Sequence, residues 1–140
     1  IADMNVFAQG HEMTSSHFAD HTGLSAATQT TGRDLIALAR IIYNEHPNIL
    51  EMTRQSKATI TELTSKKQQL IQNTNLFAGQ KGFVGGKTGY TEEAGGNLLS
   101  VFSYEGRPIV VVVLGSDDRF GETEKLLGWF KENFKASNRQ

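Results

Sequence analysis

The sequence predicts an α+β fold in which antiparallel strands are covered by a C-terminal helix. Helical patterns come first along the chain and strand patterns joined by a short turn come later, an order typical of α+β domains. A last amphipathic stretch, residues 121–134, follows the strands and would lie on the sheet. The composition permits such a domain, because 38% of the 140 residues are hydrophobic and 21% are charged.

The first helices are predicted from apolar spacing and from end signals. Residues 1–12 place apolar side chains near one side of a helix, whereas residues 13–31 lack a period and are typical of an ordered loop. A second helix begins at a cap provided by Thr30 or Thr31 and carries an apolar stripe. Pro47 ends it, because the residue before a proline is displaced from helical backbone angles.

The second half of the chain carries the strand patterns. Residues 52–77 are polar and β-forming, and their alternation predicts a half-buried strand. Residues 79–96 hold seven of the fourteen glycines, which favours tight turns or close approach to a ligand. Strands at 97–104 and 108–115 would form a hairpin. Because residues 109–114 are all apolar, we predict the second of these strands to be central and covered on both faces. The last helix would turn five apolar side chains inward, namely Leu126, Leu127, Trp129, Phe130 and Phe134.

Charge and composition exclude several classes of function. The net charge of −1 provides no basic excess, so we predict no nucleic-acid partner. The absence of cysteine excludes disulfides and thiol chemistry. The apolar run at 109–114 is far shorter than the roughly 20 residues of a membrane-spanning helix. His17 and His21 are four residues apart but lie in the predicted loop, so we predict no metal site and no cofactor.

Residues 83–97, with the sequence FVGGKTGYTEEAGGN, carry the most informative motif. Lys87 would supply a fixed positive charge and Thr88 a short hydroxyl donor, while Gly89 would leave room for a ligand backbone beside the strand. The backbone N–H of Tyr90 could face the same site and stabilise a developing oxyanion. The triplet therefore indicates carboxylate recognition, although three residues alone also occur by chance on a solvated turn.

The motif in its context resembles the Lys-Thr-Gly element of penicillin-binding proteins and serine β-lactamases, the partner of Ser-x-x-Lys and Ser-x-Asn. More narrowly, the chain is similar to the serine-type D-alanyl-D-alanine carboxypeptidases of low molecular mass (peptidase S11-like), because three further stretches match that subfamily in the same order, at residues 16–24, 30–38 and 119–127. The resemblance implies a fragment of the transpeptidase-like fold. Residues 1–140 would be one partial domain, with about 1–50 ending the helical subdomain and about 51–140 forming the sheet strands, the motif and the C-terminal helix.

The resemblance also implies a reaction. A serine attacks the penultimate carbonyl of a peptidoglycan stem peptide ending in D-Ala-D-Ala, and water hydrolyses the acyl-enzyme; β-lactams acylate the same serine. Lys87 and Thr88 would hold the terminal carboxylate, Lys87 would also tune proton transfer, and the Tyr90 N–H would donate to the oxyanion. The implied location is outside the cytoplasmic membrane, in the periplasm or at the cell surface.

The chain departs from that family in lacking both upstream motifs. Ser65 comes nearest to Ser-x-x-Lys, but Gln68 occupies the lysine position, and no Ser-x-Asn occurs. We therefore expect the nucleophile to lie elsewhere in a longer parent, this chain alone to be inactive, and the chain to associate with itself or with a missing N-terminal half. Two alternatives stay open, a β-lactamase or transpeptidase of the same superfamily and a non-catalytic binding module.

Other charged residues have simpler interpretations. Asp34 would complement the start of the second helix, and Arg33 would tie the loop to it. Arg119 could reach an anionic substrate, but an ion pair with the following helix is the favoured prediction. Glu92 and Glu93 suggest a solvated turn that could border a pocket.

Overall fold

The computed structural model describes residues 1–134, which form four helices and five strands. The helices are α1 (Ala2–Gly10), α2 (Gly32–Glu45), α3 (Pro47–Thr53) and α4 (Arg119–Asn133). The strands are β1 (Lys57–Thr61), β2 (Gln68–Gln72), β3 (Phe83–Thr91), β4 (Gly95–Tyr104) and β5 (Arg107–Ser116). All strand pairs are antiparallel and α4 packs on β4 and β5, so the predicted α+β class is confirmed. No helix within this range is long and apolar enough to cross a membrane.

The start of α2 and the break after it follow the sequence signals. The Thr31 side chain accepts a hydrogen bond from the Asp34 backbone N–H at 3.2 Å, which confirms one of the two predicted caps. Helix α2 ends at Glu45, as Pro47 requires. The same proline then occupies the first turn of α3, where backbone N–H groups have no partner within the helix, so the lack of an N–H on proline costs no hydrogen bond. The short helix α3 was not predicted.

A three-stranded sheet, in the order β3-β4-β5, forms the centre of the molecule. Side chains alternate across the sheet, so the central strand β4 contributes Leu98 to one face and Val101 to the other. The face toward α4, called the α4 face here, carries a cluster of buried residues: Phe77, Phe83, Leu98, Phe102, Val111 and Val113. The opposite face, called the α2 face, buries Ala39 and Leu50 against Val101. The candidate motif lies on β3, one edge of this sheet.

The prediction that residues 109–114 form a central strand is wrong for the described chain. Among residues 1–134, strand β5 pairs only with β4 and forms the other edge of the sheet. The prediction that both faces of β5 are covered is nevertheless confirmed, because Val111 and Val113 belong to the α4-face cluster while Val110 packs on the α2 face. The apolar run therefore reflects helices above and below the strand, and not strands on both sides of it.

The β1–β2 hairpin lies apart from both clusters. Every residue of its two strands is exposed, so the predicted half-buried strand is wrong. The base of the hairpin is held by Asn73, whose Nδ2 donates to the carbonyls of Thr53 and Gln55 at 2.9 Å each. Backbone pairing and this anchor define the hairpin.

The C-terminal helix buries fewer large side chains than predicted. Leu127 packs against the α4-face cluster, but three other side chains predicted to point inward are largely exposed: Leu126 (47%), Trp129 (57%) and Phe134 (49%). The fully buried side chain of α4 is Thr123, whose hydroxyl donates to the Arg119 carbonyl at 2.7 Å. A hydroxyl satisfied in this way can be buried without leaving a polar group unpaired.

Candidate active site

The Lys-Thr-Gly motif lies inside β3, although the glycine-rich stretch around it had favoured tight turns or close approach to a ligand. In the register with β4, Lys87 pairs with Leu99 and Thr88 pairs with Leu98. Because paired residues share a face, Thr88 lies on the α4 face and Lys87 on the α2 face. Strand β3 pairs only with β4 among residues 1–134, so its other edge is open. The two polar side chains therefore flank an open strand edge from opposite faces.

Gly85 and Gly86, just before the motif, are closely packed against neighbouring elements, so the uncovered part of the β3 edge begins after them. A Cβ on Gly85 would lie 2.7 Å from the Leu50 carbonyl oxygen, and one on Gly86 would lie 2.3 Å from the Leu99 carbonyl oxygen. The Gly86 N–H donates to the Thr53 hydroxyl at 3.1 Å. The absence of a side chain on Gly85 thus lets α3 lie directly on the start of β3, and its absence on Gly86 lets β3 pair closely with β4. The open edge of β3 is uncovered only from the motif onward.

Gly89 differs from these two glycines. A Cβ on Gly89 would meet the Asn97 Cβ at 3.7 Å, which is an ordinary van der Waals contact, and the φ of Gly89 is not positive. The fold itself therefore does not require glycine at this position.

The motif hydroxyl and ammonium already have partners in the chain. The Thr88 hydroxyl lies 3.0 Å from the Thr74 hydroxyl, and the Lys87 ammonium donates to the Thr88 carbonyl. Lys87 itself is exposed. Thr74 was missed by the sequence analysis, because it belongs to the segment after β2 and no local pattern links it to the motif.

Arg119 reaches the motif strand from the first turn of α4. The predicted ion pair with the helix is wrong, since its guanidinium has no carboxylate partner within the described residues. Instead Nη1 donates to the Gly89 carbonyl at 3.5 Å, passing 3.2 Å from where a Cβ on Gly96 would lie. Its Nε is buried and makes no hydrogen bond within the described part of the chain. A second positive charge therefore lies beside the motif strand at Gly89, on the α4 face.

The position of Arg119 also orients the peptide between Gly89 and Tyr90. In a trans peptide the carbonyl and the following N–H point in opposite directions, and no cis peptide occurs in the described chain. The Gly89 carbonyl faces Arg119, which lies over Gly96 on β4. The Tyr90 N–H consequently points away from β4, toward the open edge.

Two carboxylates organise the loop between α1 and α2. Asp34 is only 4% exposed and accepts hydrogen bonds from the Ser15 N–H at 3.0 Å and from the Ser16 hydroxyl at 2.8 Å. Asp34, and not Arg33, is thus the residue that ties the loop to α2. The loop closes further through backbone pairing between His17 and Gln29. No group of three or more histidines and carboxylates in residues 1–134 is arranged to hold a metal.

Asp20 is the second of these carboxylates. It accepts hydrogen bonds from the Thr22 hydroxyl, from the Thr28 hydroxyl at 2.7 Å, and from the backbone N–H groups of Thr22 and Leu24. The hydrogen bonds from Thr22 and Thr28 hold the pKa of this carboxyl far below its usual range, because they stabilise the ionised form. The loop thus folds around a charged acceptor.

A cleft of about 750 Å³ lies between this loop and the end of the motif strand. One wall is formed by loop residues 23–31, and the other by Gly89, Tyr90 and Thr91 with the turn that follows them. Glu93 lines the cleft and Glu92 does not. The predicted solvated turn therefore borders a pocket through one of its two carboxylates.

Comparisons with known proteins agree with this arrangement. The family model for D-alanyl-D-alanine carboxypeptidases (peptidase S11) matches residues 1–118. D-alanyl-D-alanine carboxypeptidase DacD from Escherichia coli is 31% identical over 135 residues, which cover 94% of this chain and 34% of DacD. The chain therefore spans about a third of the length of this curated relative.

Solved structures show the same fold over a similar share. Penicillin-binding protein D2 from Listeria monocytogenes, in its cefotaxime-bound form, superposes with a TM-score of 0.77 at 30% identity, covering 91% of this chain and 53% of that one. Penicillin-binding protein 6B from E. coli superposes with a TM-score of 0.80 at 29% identity, covering 96% of this chain and 43% of that one. By its family match, its relatives and its fold, this chain belongs to the D-alanyl-D-alanine carboxypeptidase family.

Proposed function

We propose that the chain is one part of a serine-type D-Ala-D-Ala carboxypeptidase, which removes the terminal D-alanine from peptidoglycan stem peptides and binds penicillin. The observation that supports this proposal best is the Lys-Thr-Gly motif on an open strand edge. The chain contains no Ser-x-x-Lys and no Ser-x-Asn, so the parent must supply the nucleophile and its base from outside residues 1–140. The chain alone is then inactive, because the members of such a unit act together.

Lys87 and Thr88 bind the terminal carboxylate of the peptide in this proposal. Their positions on opposite faces of β3 let the ammonium and the hydroxyl approach a ligand at the edge from two sides. Arg119 adds positive charge on the α4 face. Charge-assisted hydrogen bonds of this kind are about twice as strong as neutral ones.

The Tyr90 N–H stabilises the negative charge that forms during acylation. The parent's serine oxygen bonds to the penultimate carbonyl carbon, and the carbonyl oxygen becomes an oxyanion. The C–N bond then breaks, D-alanine leaves with a proton on its nitrogen, and water hydrolyses the remaining ester. One preorganised oxyanion donor typically contributes about 3–4 kcal/mol to catalysis. The outward direction of this N–H supports the assignment.

The setting of the reaction follows from the same proposal. A peptidoglycan substrate places the parent on the outer side of the cytoplasmic membrane, and β-lactams acylate its serine as substrate mimics. Residues 1–140 form one partial domain, about 1–50 from the helical subdomain and about 51–140 from the sheet part; residues 135–140 lie outside the described range. The remainder of the domain would supply the N-terminal half as a partner of this chain.

Intact-mass spectrometry with benzylpenicillin tests the proposal. The full-length parent should gain the mass of one penicillin, whereas this 15.4 kDa chain should gain none. Lys87→Gln in the parent should slow adduct formation by about 100-fold, while Lys67→Gln on the exposed hairpin should leave it unchanged. An adduct on this chain alone, or a parent that forms no adduct and releases no D-alanine, would contradict the proposal.

A further inference from the structure

The surroundings of β3 leave a bound peptide one direction in which to extend. Before the motif, α3 covers the strand and the Gly86 N–H is already bound to Thr53. After the motif, Gly89, Tyr90 and Thr91 form a wall of the open cleft. If the terminal carboxylate is held at Lys87 and Thr88, as in the proposed function on which this inference rests, the upstream residues of the peptide enter that cleft.

Strand spacing sets how far each residue of the peptide reaches. A peptide lying antiparallel along β3 advances about 3.3 Å per residue, in step with the strand. Because the Tyr90 N–H bonds the penultimate carbonyl in the proposed function, the penultimate residue lies opposite Tyr90 and the last residue opposite Gly89, with its carboxylate beside Thr88. The third residue from the C-terminus then lies opposite Thr91. A long side chain at that position extends toward the turn after Thr91, where Glu93 is found.

The charge of the cleft is carried by one residue. The loop wall offers neutral hydroxyl and amide groups, from Ser25, Thr28, Gln29 and Thr30. Asp20 lies in the same loop, but its carboxylate is occupied by the loop's own donors and does not line the cleft. Glu93 is the one residue lining the cleft that is charged at neutral pH, and its carboxylate has no hydrogen bond or ion pair within residues 1–134.

We propose that this cleft binds the part of the peptide upstream of D-Ala-D-Ala, and that Glu93 pairs with a side-chain ammonium on the residue immediately before those two alanines. Glu93 acts as a specificity residue, because it touches the substrate away from the bond that breaks. The pair is exposed to solvent, so its effect on kcat/KM is modest, about 2- to 5-fold, and it weakens as salt is added.

The test uses the full-length parent and three synthetic peptides that differ only in the residue before D-Ala-D-Ala, which is lysine, norleucine or glutamate. Release of D-alanine gives kcat/KM for each peptide. The expected order is lysine, then norleucine, then glutamate, with most of the difference in KM. Glu93→Gln should bring the lysine/norleucine ratio to about 1, and Glu93→Lys should favour the glutamate peptide. Glu92→Gln, one residue away but outside the cleft, should keep the wild-type ratio.

The ratio between two peptides separates specificity from folding, because a loss of folded enzyme lowers both rates equally. Equal rates for the lysine and norleucine peptides in the wild type would overturn the inference and leave the proposed function intact. If Glu93→Gln and Glu92→Gln lower the lysine/norleucine ratio of kcat/KM equally, the inference is also overturned. The preference for lysine would then come from the total negative charge of the turn and not from a contact with Glu93. No D-alanine release from any peptide would overturn the proposed function, and this inference with it.

Discussion

Gly86 and Gly89 lie three residues apart on β3, but the fold constrains them differently. A side chain on Gly86 would overlap the backbone of Leu99, whereas one on Gly89 would only touch Asn97. The first glycine is therefore needed for pairing between β3 and β4. The second is tolerated by the sheet, and its open side is where we propose that a peptide backbone lies.

Alanine at each of these two positions should give opposite results. Gly89→Ala should change the free energy of unfolding by less than about 1 kcal/mol, since alanine fits the strand, but should slow penicillin acylation of the parent by about 10-fold or more. Gly86→Ala should destabilise the protein by more than about 2 kcal/mol because the backbone must shift. Urea unfolding and adduct formation measure the two effects. A normal acylation rate in Gly89→Ala would exclude a clearance role for this glycine.

The loop between α1 and α2 is tied together by hydrogen bonds to two carboxylates, those of Asp34 and Asp20. Asp20 gathers backbone and hydroxyl donors from Thr22, Leu24 and Thr28, and the loop forms one wall of the cleft. Its shape therefore depends on the protonation state of one carboxyl.

This dependence has a definite sign. Because the pKa of Asp20 is lower in the folded chain than its usual value of about 3.9, its stabilising effect is complete above that value, declines below it, and is lost only as the pH falls through the lower pKa of the folded state. Asp20→Asn should therefore lower the Tm and speed proteolysis of the loop at about pH 6, and the Tm difference should be constant down to about pH 4 and shrink progressively below it. Asp117→Asn, at an exposed carboxyl, is the control. A Tm difference that grows on acidification would contradict this account.

Local sequence patterns predicted where helices and strands begin and end better than they predicted which of these elements pack against each other. The Thr31 cap and the end of α2 before Pro47 follow from residues adjacent in sequence, and both are confirmed. The edge position of β5 and the exposure of Trp129 depend on which elements pack together, which periodicity does not encode. In the candidate site, the Lys-Thr-Gly motif could be recognised from consecutive residues. The contact between Arg119 and Gly89 could not be predicted, because the two residues are thirty positions apart in the sequence.

At the scale of the whole molecule, the three-stranded sheet has two open edges within residues 1–134. The edge at β5 is flanked by an apolar groove of about 450 Å³ that includes Ile36, Tyr43, Ile109 and Phe130. Open edges beside apolar surface favour pairing with another strand. This arrangement supports the expectation that the chain associates with itself or with the rest of its domain.

The isolated chain should accordingly sediment with a mass above its 15.4 kDa, increasing with concentration. Leu114→Lys, which places a charge on β5 at a side chain 43% exposed, should shift the chain toward monomer. Val6→Lys makes a similar change on α1, where the side chain is 68% exposed, and should have no effect. A monodisperse monomer at all concentrations would refute the expectation of association.

The contact between Thr74 and Thr88 has a consequence for the entropy of binding. A hydroxyl has one proton and two lone pairs, so when Thr74 donates, the Thr88 oxygen accepts and its proton remains free for a carboxylate. The Thr88 rotamer is then fixed before any ligand arrives. Ordering a mobile side chain on binding costs about 0.5–1.5 kcal/mol, and a threonine held in advance avoids part of that loss. The segment after an exposed hairpin thereby preorganises a residue of the proposed site.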